Sequence, residues 1–131
     1  MKKAKQYHLN FRVIPNDDGT KIPNVYSDFK SNDSTIYAIV ANFMDSLGPR
    51  GVDWVIDEII SLNAFNSNTN GYTIIGSYEE IVEIYSPPAR AIFNLGGGDD
   101  VVLPLQDFLD ILEEWKLFLN SLPYKHYLSN K

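Results

Sequence analysis

Adjacent carboxylates are the residues of this sequence that recur most clearly in a pattern capable of chemistry. The pairs are Asp57-Glu58, Glu79-Glu80, Asp99-Asp100 and Glu113-Glu114. Two carboxylates can act as general acid and base when a pocket drives their pKa values apart, and carboxylates can also hold a divalent cation. Adjacent acids on an exposed helix face stay solvated instead. We interpret these pairs as surface charge, with a small enzyme that has an acidic metal site as the alternative.

Two loop-like motifs resemble ligand sites but fit turns better. Gly96-Gly97-Gly98 could cradle a phosphate, yet two aspartates follow at once and would repel the anion. Asn16-Asp17-Asp18-Gly19 begins like a calcium loop, but Val25 stands where the closing glutamate belongs. We therefore predict a glycine-rich turn at the first motif and a turn at the second, where Gly19 is free to take positive φ.

Histidine and cysteine chemistry finds little support. The chain has no cysteine, and its two histidines, His8 and His126, lie far apart without the spacing of metal ligands. We therefore predict no catalytic residue, no metal ligand and no cofactor, and we lean towards a protein that is not an enzyme.

Charge is the most informative global property of the chain. The net charge is −6, but residues 1–30 carry six cations against three acids, whereas residues 31–124 carry three cations against fourteen acids. So acidic a body repels nucleic acid and anionic membranes, both of which require lysine and arginine clusters. It would attract a basic protein partner, although acids can also serve solubility alone.

Hydrophobic patterning predicts one α+β domain over residues 1–131. Residues 6–14 alternate as a half-buried strand, and residues 22–26 return as a short second strand with Pro23 at an edge. Side chains at 31–34 can cap a helix that runs to Gly48-Pro49. A second helix follows directly, with an apolar stripe formed by Val52, Val55, Ile56, Ile59, Ile60 and Leu62.

The second half of the chain predicts a small sheet and a long helix. After a polar loop at 63–71, apolar runs at 72–76, 81–85, 90–95 and 101–103 indicate an antiparallel meander. A long helix then starts near Pro104, continues to Pro123 and packs on the sheet. We expect the basic extension at 1–5 and the tail at 124–131 to be disordered. No apolar run reaches the roughly 20 residues that span a bilayer, which favours a soluble cytoplasmic protein.

Two apolar residues fall on the polar sides of their predicted helices. Trp54 projects away from the apolar stripe of the second helix, and Leu117 lies among the acids of the last one. Lys116, by contrast, is a charged residue that falls within the apolar stripe of the last helix. Its ammonium must extend from the edge of that stripe to water. A surface tryptophan surrounded by acids is typical of an interface hot spot for a basic partner, unless a strand or loop covers it. The predicted partner-binding residues are Trp54, Asp57, Glu58, Asp107, Asp110, Glu113, Glu114 and Leu117.

The C-terminal segment Val102–Leu119 reads VLPLQDFLDILEEWKLFL and follows short strands. Loosely, it resembles the ending of many small bacterial proteins, among them immunity proteins of polymorphic and contact-dependent toxin systems. The resemblance implies a small cytosolic α+β protein that binds and occludes a toxin domain, and nuclease toxins are commonly basic. These families share no site motif, so the resemblance assigns no functional residue. A homo-oligomeric structural subunit that buries the Trp54 surface is the remaining alternative.

Overall fold

Two antiparallel sheets and four helices form the part of the chain that the computed structural model describes, residues 2–15, 17–19, 21–27, 37–65, 72–76, 81–86, 88–93 and 100–122. In chain order the elements are α1 (Lys2–Gln6), β1 (Leu9–Pro15), β2 (Lys21–Ser27), α2 (Ala38–Asp45), α3 (Pro49–Ser61), β3 (Tyr72–Gly76), β4 (Ile81–Tyr85), β5 (Arg90–Phe93), β6 (Val101–Pro104) and α4 (Leu105–Ser121). The predicted α+β class is confirmed, with α4 packed on the larger sheet.

The N-terminal strands form the predicted hairpin, which packs on α2. β1 and β2 pair in antiparallel register from Leu9 opposite Ser27 to Pro15 opposite Lys21. Gly19 has φ +88° in the turn, as predicted, because glycine adopts this conformation without steric cost. The strand prediction at residues 6–8 is wrong, because β1 begins only at Leu9 and His8 takes a φ of +59° before it.

A short helix precedes the hairpin where we expected a disordered extension. The five residues of α1 lack the apolar periodicity that identifies helices in sequence, and isolated helices of this length are unstable in water. α1 instead packs against α4, and its Ala4 is fully buried there. Tertiary contacts therefore create this element.

The break at Gly48-Pro49 separates α2 from α3 as predicted. Pro49 occupies the first turn of α3, where its missing N–H costs no helical hydrogen bond. The predicted caps at 31–34 and the loop at 66–71 lie outside the described residues. One member of the predicted α3 stripe is wrong: Ile60 is 63% exposed, because it lies about 90° around the helix from the centre of the buried side.

The larger sheet is the predicted meander. Its strands follow the order β3-β4-β5-β6, and each neighbouring pair is antiparallel. Alternate residues of the three later strands point into the core: Val82, Ile84, Ala91, Phe93, Val101 and Leu103. β5 ends at Phe93, and the predicted glycine-rich turn at 96–98 lies outside the described residues.

α4 supplies the largest share of the core. All the residues that we assigned to its central stripe are buried, namely Leu105, Phe108, Leu109, Leu112, Trp115 and Leu119, together with Ile111. The Trp115 ring lies 5.0 Å from that of Phe11 in β1, and its indole N–H donates to the Leu47 carbonyl at 2.9 Å. α4 ends before Pro123, and the tail at 124–131 lies outside the described residues. Over the described residues, none of the helices combines the length and apolarity that crossing a bilayer requires.

The two tryptophans give the first prediction. Trp115→Phe removes buried ring atoms and leaves the Leu47 carbonyl without its donor, so it should lower the free energy of unfolding by about 1–3 kcal/mol. Trp54→Phe is the matched control at an exposed position and should change it by less than about 0.5 kcal/mol. Urea denaturation measures both. Equal effects of the two substitutions would contradict this assignment of core and surface.

Candidate protein-binding face

One ion pair joins the exposed sides of α3 and α4. Lys116 Nζ lies 2.7 Å from Asp53 Oδ1, which connects the two packed helices across their groove. The hydrogen bond and the charge of Asp53 raise the pKa of Lys116, and the nearby carboxylates of Glu113 and Asp57 act in the same direction. Lys116 thus does reach outward from the edge of the apolar stripe, as predicted. The positive charge of its ammonium is balanced by the carboxylate of Asp53.

The ion pair places Trp54 and Leu117, the two apolar residues on the polar sides of their helices, at similar heights along the helix axes. Trp54 follows Asp53, Leu117 follows Lys116, and one residue along a helix advances its axis by only about 1.5 Å. Trp54 is 50% exposed and Leu117 is 69% exposed. Each lies near the middle of the solvent-facing side of its helix, opposite the buried stripe. Each residue therefore directly follows one partner of the ion pair, on the outer side of one of two packed helices.

Carboxylates surround this pair of apolar side chains. Asp57 and Glu113 are exposed, and Glu58 and Asp110 are half-buried. Asp110 also accepts a hydrogen bond from Gln106 Nε2 at 2.9 Å, one helical turn earlier. We call the surface formed by Asp53, Trp54, Asp57, Glu58, Asp110, Glu113, Lys116 and Leu117 the α3–α4 face.

The charge of the α3–α4 face is negative after its internal pairing is counted. Lys116 forms its ion pair with Asp53, so the other four carboxylates of the face leave its net charge negative. Arg50, exposed on the first turn of α3, is the cation nearest to this set in sequence. The face thus presents apolar area with an acidic border.

Two further exposed apolar residues extend this region along the chain. Ile60 lies on the last turn of α3, and Phe65, 47% exposed, follows soon after the helix ends. Our sequence interpretation missed both, because Ile60 was assigned to the buried stripe and Phe65 to a polar loop. The angular position of Ile60 at the stripe's edge was the signal that could have identified it.

Two of the predicted partner-binding acids lie on another side of α4. Asp107 and Glu114 are about 60–80° around the helix from Leu117, on the side away from Lys116. Glu114 accepts the backbone N–H groups of Lys3 at 2.9 Å and Ala4 at 3.1 Å, through different carboxylate oxygens. It therefore satisfies two of the free donors at the start of α1.

Asp107 holds the other end of α1. Its Oδ2 accepts the Tyr7 hydroxyl at 2.5 Å, and its Oδ1 lies 3.2 Å from Lys3 Nζ. The Tyr7 hydrogen bond, with help from Lys3, lowers the pKa of Asp107 even though burial opposes this. Burial and the same hydrogen bond raise the pKa of Tyr7. Asp107 and Glu114 thus bind the chain's own basic segment, and the α3–α4 face excludes them.

The remaining chemistry candidates do not come together among the described residues. Within this part of the chain, no group of three or more histidine or carboxylate side chains is arranged to hold a metal ion. His8 is exposed beside the Tyr37 ring, with ring centroids 6.4 Å apart. Glu79-Glu80, Asp99 and His126 lie outside the described residues.

Comparisons with protein families, curated proteins and solved structures give no relative of this chain.

The Tyr7–Asp107 contact gives the second prediction. Because the folded pKa of Asp107 is lowered, its ionised form stabilises the fold above its ordinary pKa of about 4, and this contribution is lost as pH falls through the lowered value. Tyr7→Phe should therefore lower the free energy of unfolding by about 1–2 kcal/mol at neutral pH, and by less in acid. Urea denaturation as a function of pH measures this.

Tyr37→Phe is the matched control for this contact. Tyr37 packs edge-on against Tyr7 at 5.2 Å, so the control removes a neighbouring hydroxyl that does not bond Asp107. We expect it to leave both the stability and its pH dependence unchanged. A Tyr7→Phe variant as stable as the wild type at neutral pH would contradict the role assigned to Asp107.

Proposed function

We propose that this chain is a binding protein without catalytic activity of its own, and that its α3–α4 face docks a basic protein. The supporting observation is that Trp54 and Leu117 are both exposed, on two packed helices that an ion pair joins at the preceding residues, with carboxylates around them. An exposed apolar patch rimmed by polar residues is characteristic of protein–protein contact sites. Tryptophan is the residue most enriched among interface hot spots.

The two kinds of residue on the face would have different roles. Trp54 and Leu117 would supply apolar area that leaves water on binding, with the indole as the anchor. Asp57, Glu58 and Glu113 would attract lysine and arginine of the partner and speed the encounter. Lys116 would stay paired to Asp53 and so link the two helices that carry the apolar residues. This division makes affinity depend on the apolar residues and association rate depend on the acids.

The kind of partner we propose is a basic toxin domain of the nuclease type, which the chain would neutralise as an immunity protein. The resemblance of the C-terminal segment and the acidity of residues 31–124 support this proposal. Such a protein would act in the cytoplasm of the cell that makes the toxin, and that location belongs to the proposal. It would act by occlusion, so it needs no cofactor or metal.

The anchor role of Trp54 gives the third prediction. Trp54→Ala should weaken binding of the basic partner by more than about 2 kcal/mol, while the free energy of unfolding stays near that of the wild type. Calorimetric titration with a basic protein captured from the source cell measures this. Val102→Ala is the matched control, because Val102 is equally exposed, at 50%, on the sheet.

The outcome of this comparison decides between the interpretations. Loss of affinity in Trp54→Ala and retention in Val102→Ala support the α3–α4 face. Unchanged affinity in Trp54→Ala removes that residue from the site. A dimer in sedimentation experiments that Trp54→Ala dissociates would favour the homo-oligomeric subunit instead.

The steering role of the acids gives the fourth prediction. Asp57→Asn combined with Glu113→Gln should slow association several-fold at low salt, and the wild-type rate should fall steeply as salt is added. Stopped-flow kinetics measures both. Asp17→Asn combined with Asp100→Asn removes the same charge from exposed positions outside the face and serves as the control. An association rate that is independent of salt, or equally reduced in both double variants, would count against local steering.

A further inference from the structure

A small pocket lies on a different side of the molecule, between the β1–β2 hairpin and α2. Its volume is about 200 Å³, and its lining divides into two kinds of wall. Five lining residues are polar, namely Arg12, Asn24, Tyr26 and Ser27 of the hairpin and Asn42 of α2, whereas Val25, Ala38 and Ala41 supply a smaller aliphatic wall. The proposed docking face uses none of these residues, so this pocket needs an account of its own.

Arg12 is held in a defined orientation at this pocket. Its guanidinium carbon lies 4.2 Å from the centre of the Tyr26 ring, and its Nε donates to Asn24 Oδ1 at 2.8 Å. Stacking on an aromatic face together with a bond through Nε fixes the plane of the guanidinium. Because this orientation exists before any ligand arrives, binding would not have to order the arginine side chain.

A second layer of contacts fixes the residue that holds Arg12. Asn24 Nδ2 donates to Asp45 Oδ1 at 3.0 Å, and the Val25 backbone N–H donates to the same oxygen at 3.0 Å. The Asp45 carboxylate therefore positions both the Asn24 side-chain amide, which bonds Arg12, and the backbone of β2. Within the described part of the chain, the hydrogen bond of Arg12 uses Nε, and its terminal amino groups remain available for another acceptor.

The lining sets the chemistry of a ligand. A guanidinium with its terminal groups available matches a carboxylate in a bidentate arrangement. The pocket offers one cation, and Asp45 places a negative charge nearby, so a singly charged anion fits better than a phosphate dianion. The aliphatic wall favours a short hydrocarbon chain, and 200 Å³ is the space of about seven water molecules in the liquid.

We propose that the pocket between the hairpin and α2 binds a small aliphatic carboxylate, with Arg12 on the carboxylate and Val25, Ala38 and Ala41 against the hydrocarbon chain. This inference is independent of the proposed docking function, because the two sites share no residue. Either can fail without the other.

The test is a nuclear magnetic resonance titration of the full chain with butyrate. The Arg12 Nε–H signal and the Val25 amide signal should shift and saturate at millimolar butyrate. Butyramide, which has the same shape without the charge, should bind at least tenfold more weakly. Failure of butyrate to produce saturable shifts would overturn the proposal, and so would equal binding of butyramide or tighter binding of inorganic phosphate.

Three variants connect the signal to the pocket. Arg12→Lys keeps the charge but loses the two-pronged donor, and should weaken butyrate binding at least tenfold. Ala38→Leu fills the aliphatic side at a helical position while keeping Arg12, and should weaken it as strongly. Lys5→Gln removes one cation from the exposed side of α1 and should leave binding unchanged. Equal weakening in Lys5→Gln, or wild-type binding in both pocket variants, would overturn the proposal.

Discussion

The burial of one side of α4 is the interaction on which the rest of this structure depends. The sheet, α3, α1 and the hairpin all contact this helix, the hairpin through the rings of Phe11, Trp115 and Phe118. The Trp115 indole also bonds the Leu47 carbonyl, which ties the corner between α2 and α3 to the same core. Because so many elements pack against this 17-residue helix, only one side of it can face solvent. The packing therefore determines which residues of α4 are exposed.

The exposed side of α4 is then divided between two neighbours. α1 occupies one flank, where Glu114 and Asp107 bind its backbone and its lysine. α3 occupies the other flank, where Asp53 binds Lys116. Leu117 lies between these flanks, and Trp54 follows the residue of α3 that forms the ion pair. Apolar side chains in such positions contribute little to the core, and the proposed docking function gives them a role. The acids that remain beside them carry the charge of the proposed interface.

Apolar periodicity was enough to predict α3, α4 and the meander, because each of these elements buries a regular stripe of its own residues. α1 could not be predicted in this way, since its first backbone donors are satisfied by a glutamate 111 positions away. Helix geometry placed Trp54 and Leu117 opposite the apolar stripes of their helices, but the sequence left open whether another element covers Trp54, and the structure shows both side chains exposed. The contacts of Asp107 and Glu114 with α1 could not be predicted from the sequence. A helical pattern separates the buried side of a helix from its exposed side, but it does not show which neighbouring element covers part of the exposed side. The pocket at Arg12 likewise depends on how the hairpin packs against α2. Local sequence patterns do not predict this tertiary packing.

The chain has only two tryptophans, one in the core and one on the α3–α4 face, so their indole signals test the central claim directly. The measurement is the shift of each indole N–H resonance on addition of the captured basic protein. We predict that the Trp54 signal shifts and saturates at one equivalent, while the Trp115 signal, held by the Leu47 carbonyl, stays in place. Binding that leaves the Trp54 signal unmoved would contradict the account.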